Sequence, residues 1–312
     1  MKKIVTMNSE KKFIPLSGTF IDAIACDIPS NNWTPDVWER EFARYNEIGI
    51  DEAYIIRVGW QDSSCYKSEV MKTTLYNDTD MVQLLLDLGA KYNVGIYLGM
   101  FDTCKFWLLN DWENEIAVNL DLIDELMARY GNHPAFKGWY MSHEGSMEHH
   151  QTRIWKPLCN KIRSFDRVRP IMVSPRYAGP KYDPRCVIPP DVHAKHFDYI
   201  LNEMEGLINI YAPMDGHVHF NQLESYMSVT AELMQKYGAE FWTNLETFDR
   251  DMPWNFPPIE WAKFRHKLEV AQKYVSKVIS FEVPHFMSPD SIYSSAGCLY
   301  NTYKNYLKKM QN

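Results

Sequence analysis

Eight short apolar runs, rich in β-branched and aromatic residues, recur along the chain and alternate with amphipathic stretches. This alternation limits the fold more than any other feature, because βαβ units set their strands in parallel with helices packed outside them. The runs cover residues 18–25, 52–58, 94–101, 136–142, 170–175, 207–211, 240–245 and 278–283. Helical stretches open at Thr34 and Pro35, a helix cap followed by a first-turn proline, and continue at 80–91, 114–129, 150–165, 223–237, 259–275 and 296–309. After the fifth run, residues 177–190 read as a loop rich in proline and glycine. Eight strands, seven of them followed by a helical stretch, predict an α/β fold, a single (β/α)8 TIM barrel.

The 312 residues suit one such barrel, and no linker, charge run, low-complexity tract or repeat divides them. The expected organisation is one domain over residues 1–312, with 1–16 as an N-terminal lead-in. An open doubly wound sheet is the alternative, yet neither GxGxxG nor GxxxxGK[ST] is present.

Hydrophobic residues make up 46% of the chain, enough for a large core. A net charge of −7 with no basic cluster argues against a nucleic-acid partner. No stretch is apolar enough for a membrane span. Two lysines near the start give way to polar residues before any apolar signal segment forms. The expected location is therefore cytoplasmic, or periplasmic or secreted if a signal peptide has been removed. Six cysteines, Cys26, Cys65, Cys104, Cys159, Cys186 and Cys298, are scattered without a CxxC pair, so free buried thiols are expected, with no metal and no cofactor. Aromatic residues reach 14%, a share that suits either a groove stacking on sugar rings or a Trp-rich core.

In a barrel of this type, chemistry belongs at the C-terminal strand ends. The fourth run leads through Ser142 and His143 to Glu144, the seventh ends at Glu246, and the eighth reaches Glu282. Glu144 and Glu246 lie 102 residues apart, about three βα units of roughly 35 residues, which places them across the mouth from one another. Alternation along a strand groups Glu246 with Asn244 and Trp242, and Glu144 with Ser142 and Tyr140. The opposing possibility is that each glutamate is a structural ion-pair member, with Arg57 or Arg176 as partner.

The segments Ser17-Gly18-Thr19-Phe20-Ile21-Asp22, Gly138-Trp139-Tyr140 leading to Glu144, and Ile210-Tyr211-Ala212-Pro213-Met214-Asp215-Gly216 resemble a bacterial family of uncharacterised, glycosidase-like barrels. The resemblance covers nearly the whole chain. The glutamates ending the fourth and seventh strands also resemble the largest clan of retaining glycoside hydrolases. That resemblance implies Glu144 as general acid/base and Glu246 as nucleophile. It implies Tyr211 as a contact of the nucleophile, and an oligosaccharide or glycoside as partner. Position at strand ends and in the loops after them adds Asp22, Arg57, Asp102, His143, Asp215, Trp242, Asn244 and Glu282 as cleft residues, and Trp60 and Trp254 as platforms for stacking on sugar rings. Trp107 is a further stacking candidate. One departure stands out: the clan places Asn before the acid/base, where it binds the sugar 2-hydroxyl, and this chain has His143.

Three other readings stay open at the level of sequence. A non-catalytic carbohydrate-binding barrel would hold its glutamates too far apart or pair them firmly with Arg or Lys. A metal-dependent hydrolase would use His217-Val218-His219, though barrels of that class carry HxH at the first strand. A sugar-acid lyase would show basic groups converging on the cleft.

Overall fold

The computed structural model describes residues 13–25, 29–144, 151–181, 187–250 and 256–311. Eight parallel strands close a barrel: β1 (Leu16–Ile21), β2 (Glu52–Ile55), β3 (Gly95–Gly99), β4 (Phe136–Tyr140), β5 (Ile171–Val173), β6 (Ile210–Tyr211), β7 (Glu240–Glu246) and β8 (Lys277–Phe281). Each pairs with its sequence neighbours, and β8 closes against β1. The (β/α)8 expectation from the strand count is the observed fold.

The outer layer consists of α1 (Pro35–Ile48), α2 (Met81–Tyr92), α3 (Trp112–Tyr130), α4 (Gln151–Phe165), α5 (Pro190–Glu203), α6 (Leu223–Tyr237), α7 (Trp261–Ala271) and α8 (Ser294–Gln311). Helical spacing explains the inward face of α1, where Trp38, Phe42, Tyr45 and Ile48 are all buried. The Asp80 side chain accepts the Gln83 N–H at 2.9 Å and so starts α2. Among the described residues, no helix is long and apolar enough to cross a membrane.

Helix α5 was not expected from the sequence, because the prolines ahead of it read as loop punctuation. Pro190 in fact occupies the first turn, where its missing N–H costs nothing. Its buried residues His193, Phe197, Ile200 and Leu201 do follow helical spacing. The third predicted strand also divides. Gly95–Gly99 stays in the barrel, while Phe101–Asp102 pairs with Gly59–Trp60 in a small sheet above the barrel mouth.

Strand alternation separates two cores. Phe20, Tyr54, Tyr97, Tyr140, Met172, Ile210, Trp242 and Ile279 fill the barrel, with ring centroids 5.0 Å apart for Phe20–Tyr140 and 4.9 Å for Tyr54–Tyr97. Their neighbours Ala53, Leu98, Trp139, Tyr211 and Phe241 face the helices. Gly138 makes room for this filling, since a Cβ there would lie 2.2 Å from Tyr97 Cε1. The N-terminal end is plugged by Lys277, whose Nζ donates to Glu52 Oε2 at 2.6 Å and to Asp51 Oδ1 at 3.0 Å. The opposite, C-terminal mouth is where the carboxylates gather.

Candidate active site

Two side chains anchor the backbone that carries Glu144. Ser142 Oγ accepts the Met100 N–H at 2.6 Å and donates to the Ile56 carbonyl at 2.5 Å, tying the ends of β2, β3 and β4 together. His143 points the other way, into the helical layer. There its Nε2 meets Glu115 Oε1 of α3 at 2.7 Å, and both side chains are buried. Glu115 also accepts the Thr103 N–H at 3.2 Å and the Thr103 hydroxyl. With His143 turned outward, Glu144 returns to the mouth and lines a cleft of about 330 Å³.

Glu246, the last residue of β7, lines the same cleft and is held on four sides. Its N–H donates to Asp215 Oδ1 at 2.9 Å. The buried Lys267 of α7 donates to its carbonyl at 3.0 Å and pairs with Asp215 Oδ2 at 3.0 Å. Arg250 forks the carboxylate, Nε to Oε2 and Nη2 to Oε1, each at 2.7 Å. On the remaining side sits Gly216, which comes so close to the carboxylate that no side chain fits between them.

The electrostatic setting of the two carboxylates differs. Burial raises the Glu144 carboxyl above the usual range, with Asp102 adding to the effect and Arg57, Arg176 and Arg250 opposing it. Glu246 instead has an ion pair with Arg250 at contact distance. Burial also raises Asp215, with Lys267 opposing and Glu246 reinforcing. Burial alone would lower the Arg57 guanidinium, but Asp22, Glu144 and Asp102 outweigh it and raise it.

Of the residues expected at the site, the structure brings Asp22, Arg57, Trp60, Glu144 and Glu246 into one cleft. Asp22 Oδ1 accepts the Ala25 N–H at 3.1 Å, and Oδ2 faces Arg57 Nη2 at 3.4 Å. Trp60 packs on Arg57 at 5.5 Å and donates to Cys104 Sγ at 3.0 Å. Asp102 stands behind Arg57 at 3.9 Å and accepts the Trp107 indole N–H at 2.8 Å. Glu282 is fully buried and holds the Asp22 N–H at 2.8 Å. Both Asp102 and Glu282 thus back the cleft wall.

The other expected residues sit elsewhere. His143 lies against Glu115, away from the cleft, so it is not where a 2-hydroxyl ligand would stand. Tyr211 faces the helical layer, 5.9 Å from the Phe197 ring, because its neighbour Ile210 takes the inward position. Asp215 lies behind Glu246 with Lys267. Trp242 does share the inward face with Glu246, but four residues lower, about 13 Å at the usual strand rise. There it packs under Lys277 at 4.9 Å. Asn244 sits between them, donating to Ser174 Oγ at 3.1 Å. Trp254 lies outside the described residues.

The HxH pair splits, with His219 exposed and His217 buried. Burial, followed by Arg250, Arg176 and Lys181, pushes the His217 imidazole down to about 3. Among the described residues, no group of three or more His, Cys, Asp or Glu side chains could hold a metal ion.

Sequence reasoning missed Arg250, Lys267, Gly216 and the apolar wall of Met214, Phe248, Phe256, Phe281 and Phe286. Lys267 did carry a signal. It falls within the buried stripe of Phe264, Leu268 and Ala271 on α7, where a lysine needs a buried partner. Arg250 carried none, since it follows β7 in a turn without helical spacing.

Residues 16–293 match the family described as a domain of unknown function, DUF4434. No curated protein matches the chain. Among solved structures it is similar to a "putative alpha-L-fucosidase" from Bacteroides thetaiotaomicron, with 34% identity and a TM-score of 0.90, covering 99% of this chain and 97% of that one. It is also similar to a family 1 β-glucosidase from Thermotoga maritima, with 9% identity and a TM-score of 0.56 over 88% of this chain and 89% of that one. A β-galactosidase from the psychrophilic Marinomonas ef1 has 9% identity and a TM-score of 0.59, covering 94% of this chain and 59% of that one. The last two likenesses are of fold alone.

Proposed function

The chain belongs to the DUF4434 family, and we propose that it is a glycoside hydrolase whose carboxylate pair is Glu144 and Glu246. The observation that carries this reading is that two carboxyl groups from β4 and β7 line one cleft in unequal settings. Pairs of that kind divide acid and nucleophile roles between them. The name given to the Bacteroides relative points to the same class of bond.

In the proposed reaction, Glu144 holds its proton through burial and delivers it to the glycosidic oxygen as the bond to the anomeric carbon breaks. Glu246 attacks that carbon from the opposite face and forms a glycosyl ester. Glu144, now ionised, takes a proton from water, and the water oxygen displaces Glu246 with net retention. Asp215 and Lys267 hold the Glu246 backbone in place, and Asp22 and Arg57 line the wall where hydroxyls would bind.

The experiment is azide rescue. Wild-type protein and Glu246→Ala are offered a panel of aryl glycosides that includes the α-L-fucoside. Turnover lost in the variant and restored by azide as a glycosyl azide is the expected result. Turnover that survives the substitution would remove Glu246 from the mechanism.

One observation favours a second reading, a carbohydrate-binding barrel without chemistry. The Arg250 fork occupies both oxygens of Glu246, which is the firm pairing such a barrel would show. Sugar binding that is unaffected by Glu246→Ala, with no turnover of any glycoside, is its signature.

A further inference from the structure

Two guanidinium groups line the cleft with most of their donors unused. Arg250 spends its Nε–H and one Nη2–H on Glu246, so three of its five N–H groups have no acceptor among the described residues. Its plane is held by Phe248 and Phe256, whose ring centroids lie 4.9 and 5.1 Å away. Arg57 makes one long bond of 3.4 Å to Asp22, stands 3.9 Å from Asp102, and has a buried Nε without a hydrogen-bond partner. Much of the remaining wall is apolar, with Met214, Phe281 and Phe286 among its residues, and charge-assisted bonds strengthen in such surroundings.

The Asp22 and Asp102 carboxylates beside Arg57 are already engaged. Asp22 serves the Ile24 and Ala25 N–H groups as well as Arg57. Asp102 serves the Cys104 N–H and the Trp107 indole. A neutral sugar, which presents hydroxyls that both donate and accept, would leave this surplus of cationic donors poorly matched. A carboxylate offers two coplanar acceptors and fits the outer edge of a guanidinium. We propose that the cleft selects a sugar bearing a carboxylate, a uronic acid residue, bound by the open edge of the Arg250 guanidinium with Arg57 assisting. Resting on the glycosidase reading, this names its substrate class. Arg250 would then bridge the Glu246 carboxylate and the substrate's acid group, tying specificity to the position of the nucleophile. Glu144 shares the cleft with both arginines and attracts each of them, and the burial that raises its carboxyl weakens that competition.

The test is calorimetric binding of methyl glycosides of glucuronic, galacturonic and mannuronic acid. The neutral comparators are the methyl glycosides of glucose, galactose, mannose and L-fucose, with both anomers of each. At least one uronic glycoside is expected to bind about tenfold or more tightly than its neutral counterpart, with a margin that shrinks as salt is raised. Arg250→Lys keeps the charge and loses the fork, so it should lose most of that margin. Arg57→Lys supplies the comparison if Arg250→Lys does not fold. Failure of every uronic glycoside to bind, equal binding by the neutral counterparts, or a margin unchanged in both variants overturns the proposal. Turnover of neutral aryl glycosides without uronic preference sinks this inference and leaves the glycosidase reading standing. Uronic binding without any turnover does the reverse.

Discussion

Gly216 lies flat against the carboxylate of Glu246, where a Cβ would stand 1.6 Å from Oε2 and 2.0 Å from Cδ. The constraint is one of space, since the carboxylate is also clamped by Arg250 and cannot move aside without breaking that fork. Gly216→Ala is therefore expected to cost about 1–3 kcal/mol of stability. It should also lower turnover by on the order of a hundredfold, the scale of an ångström-size displacement at the proposed nucleophile. Thermal melting and steady-state kinetics on a responsive glycoside check the two effects separately.

Glu144 should trade stability for its protonation state. Its folded carboxyl holds a proton above the unfolded value of about 4.3, so its contribution to stability is present below that pH and is lost as pH rises through the raised folded value. Glu144→Gln carries no charge at any pH. The variant should melt above wild type at neutral pH and close to it at about pH 4. A wild type that is the more stable of the two at neutral pH would contradict the raised carboxyl.

His143→Ala leaves Glu115 buried without its imidazole partner, at an expected cost of about 1–3 kcal/mol. Because His143 touches α3 and not the cleft, kcat should fall through displacement of Glu144 while KM stays the same. A rise in KM with kcat intact would make His143 a sugar ligand instead.

Lys267 and Asp215 form a buried pair at 3.0 Å. Removing one member strands the other's charge, and Lys267→Met is expected to cost about 3–5 kcal/mol in denaturant unfolding. Adding Asp215→Asn to that variant should recover part of the loss. A double variant no more stable than the single one would show that packing of the lysine stem, and not charge, carries the effect.

Much of the barrel could be anticipated because strand and helix periods are written locally. The runs ending near Glu144 and Glu246, and the stripe of Trp38, Phe42 and Tyr45, need only their own neighbours in sequence to be recognised. The same locality explains the lapses. Pro189 and Pro190 concealed α5 although the spacing of His193 and Phe197 marked it, and the run through Phe101 concealed a break where the chain leaves the barrel for the small sheet.

The site divides in the same way. Alternation along β7 puts Trp242, Asn244 and Glu246 on one face, and strand position alone puts Glu144 and Glu246 near the mouth. Depth and partnership depend on contacts between residues far apart in sequence. Trp242 belongs to the closed end because Lys277 packs over it, and His143 leaves the cleft because Glu115 waits on α3. The sequence by itself determined the order of the eight strands and of every outer helix but α5, and the end of the barrel at which carboxylates collect, because those follow from residue spacing along the chain. Only the tertiary structure decided which charges meet, Arg250 with Glu246 and Lys267 with Asp215, because a buried charge takes its partner from whatever the closed barrel brings within reach.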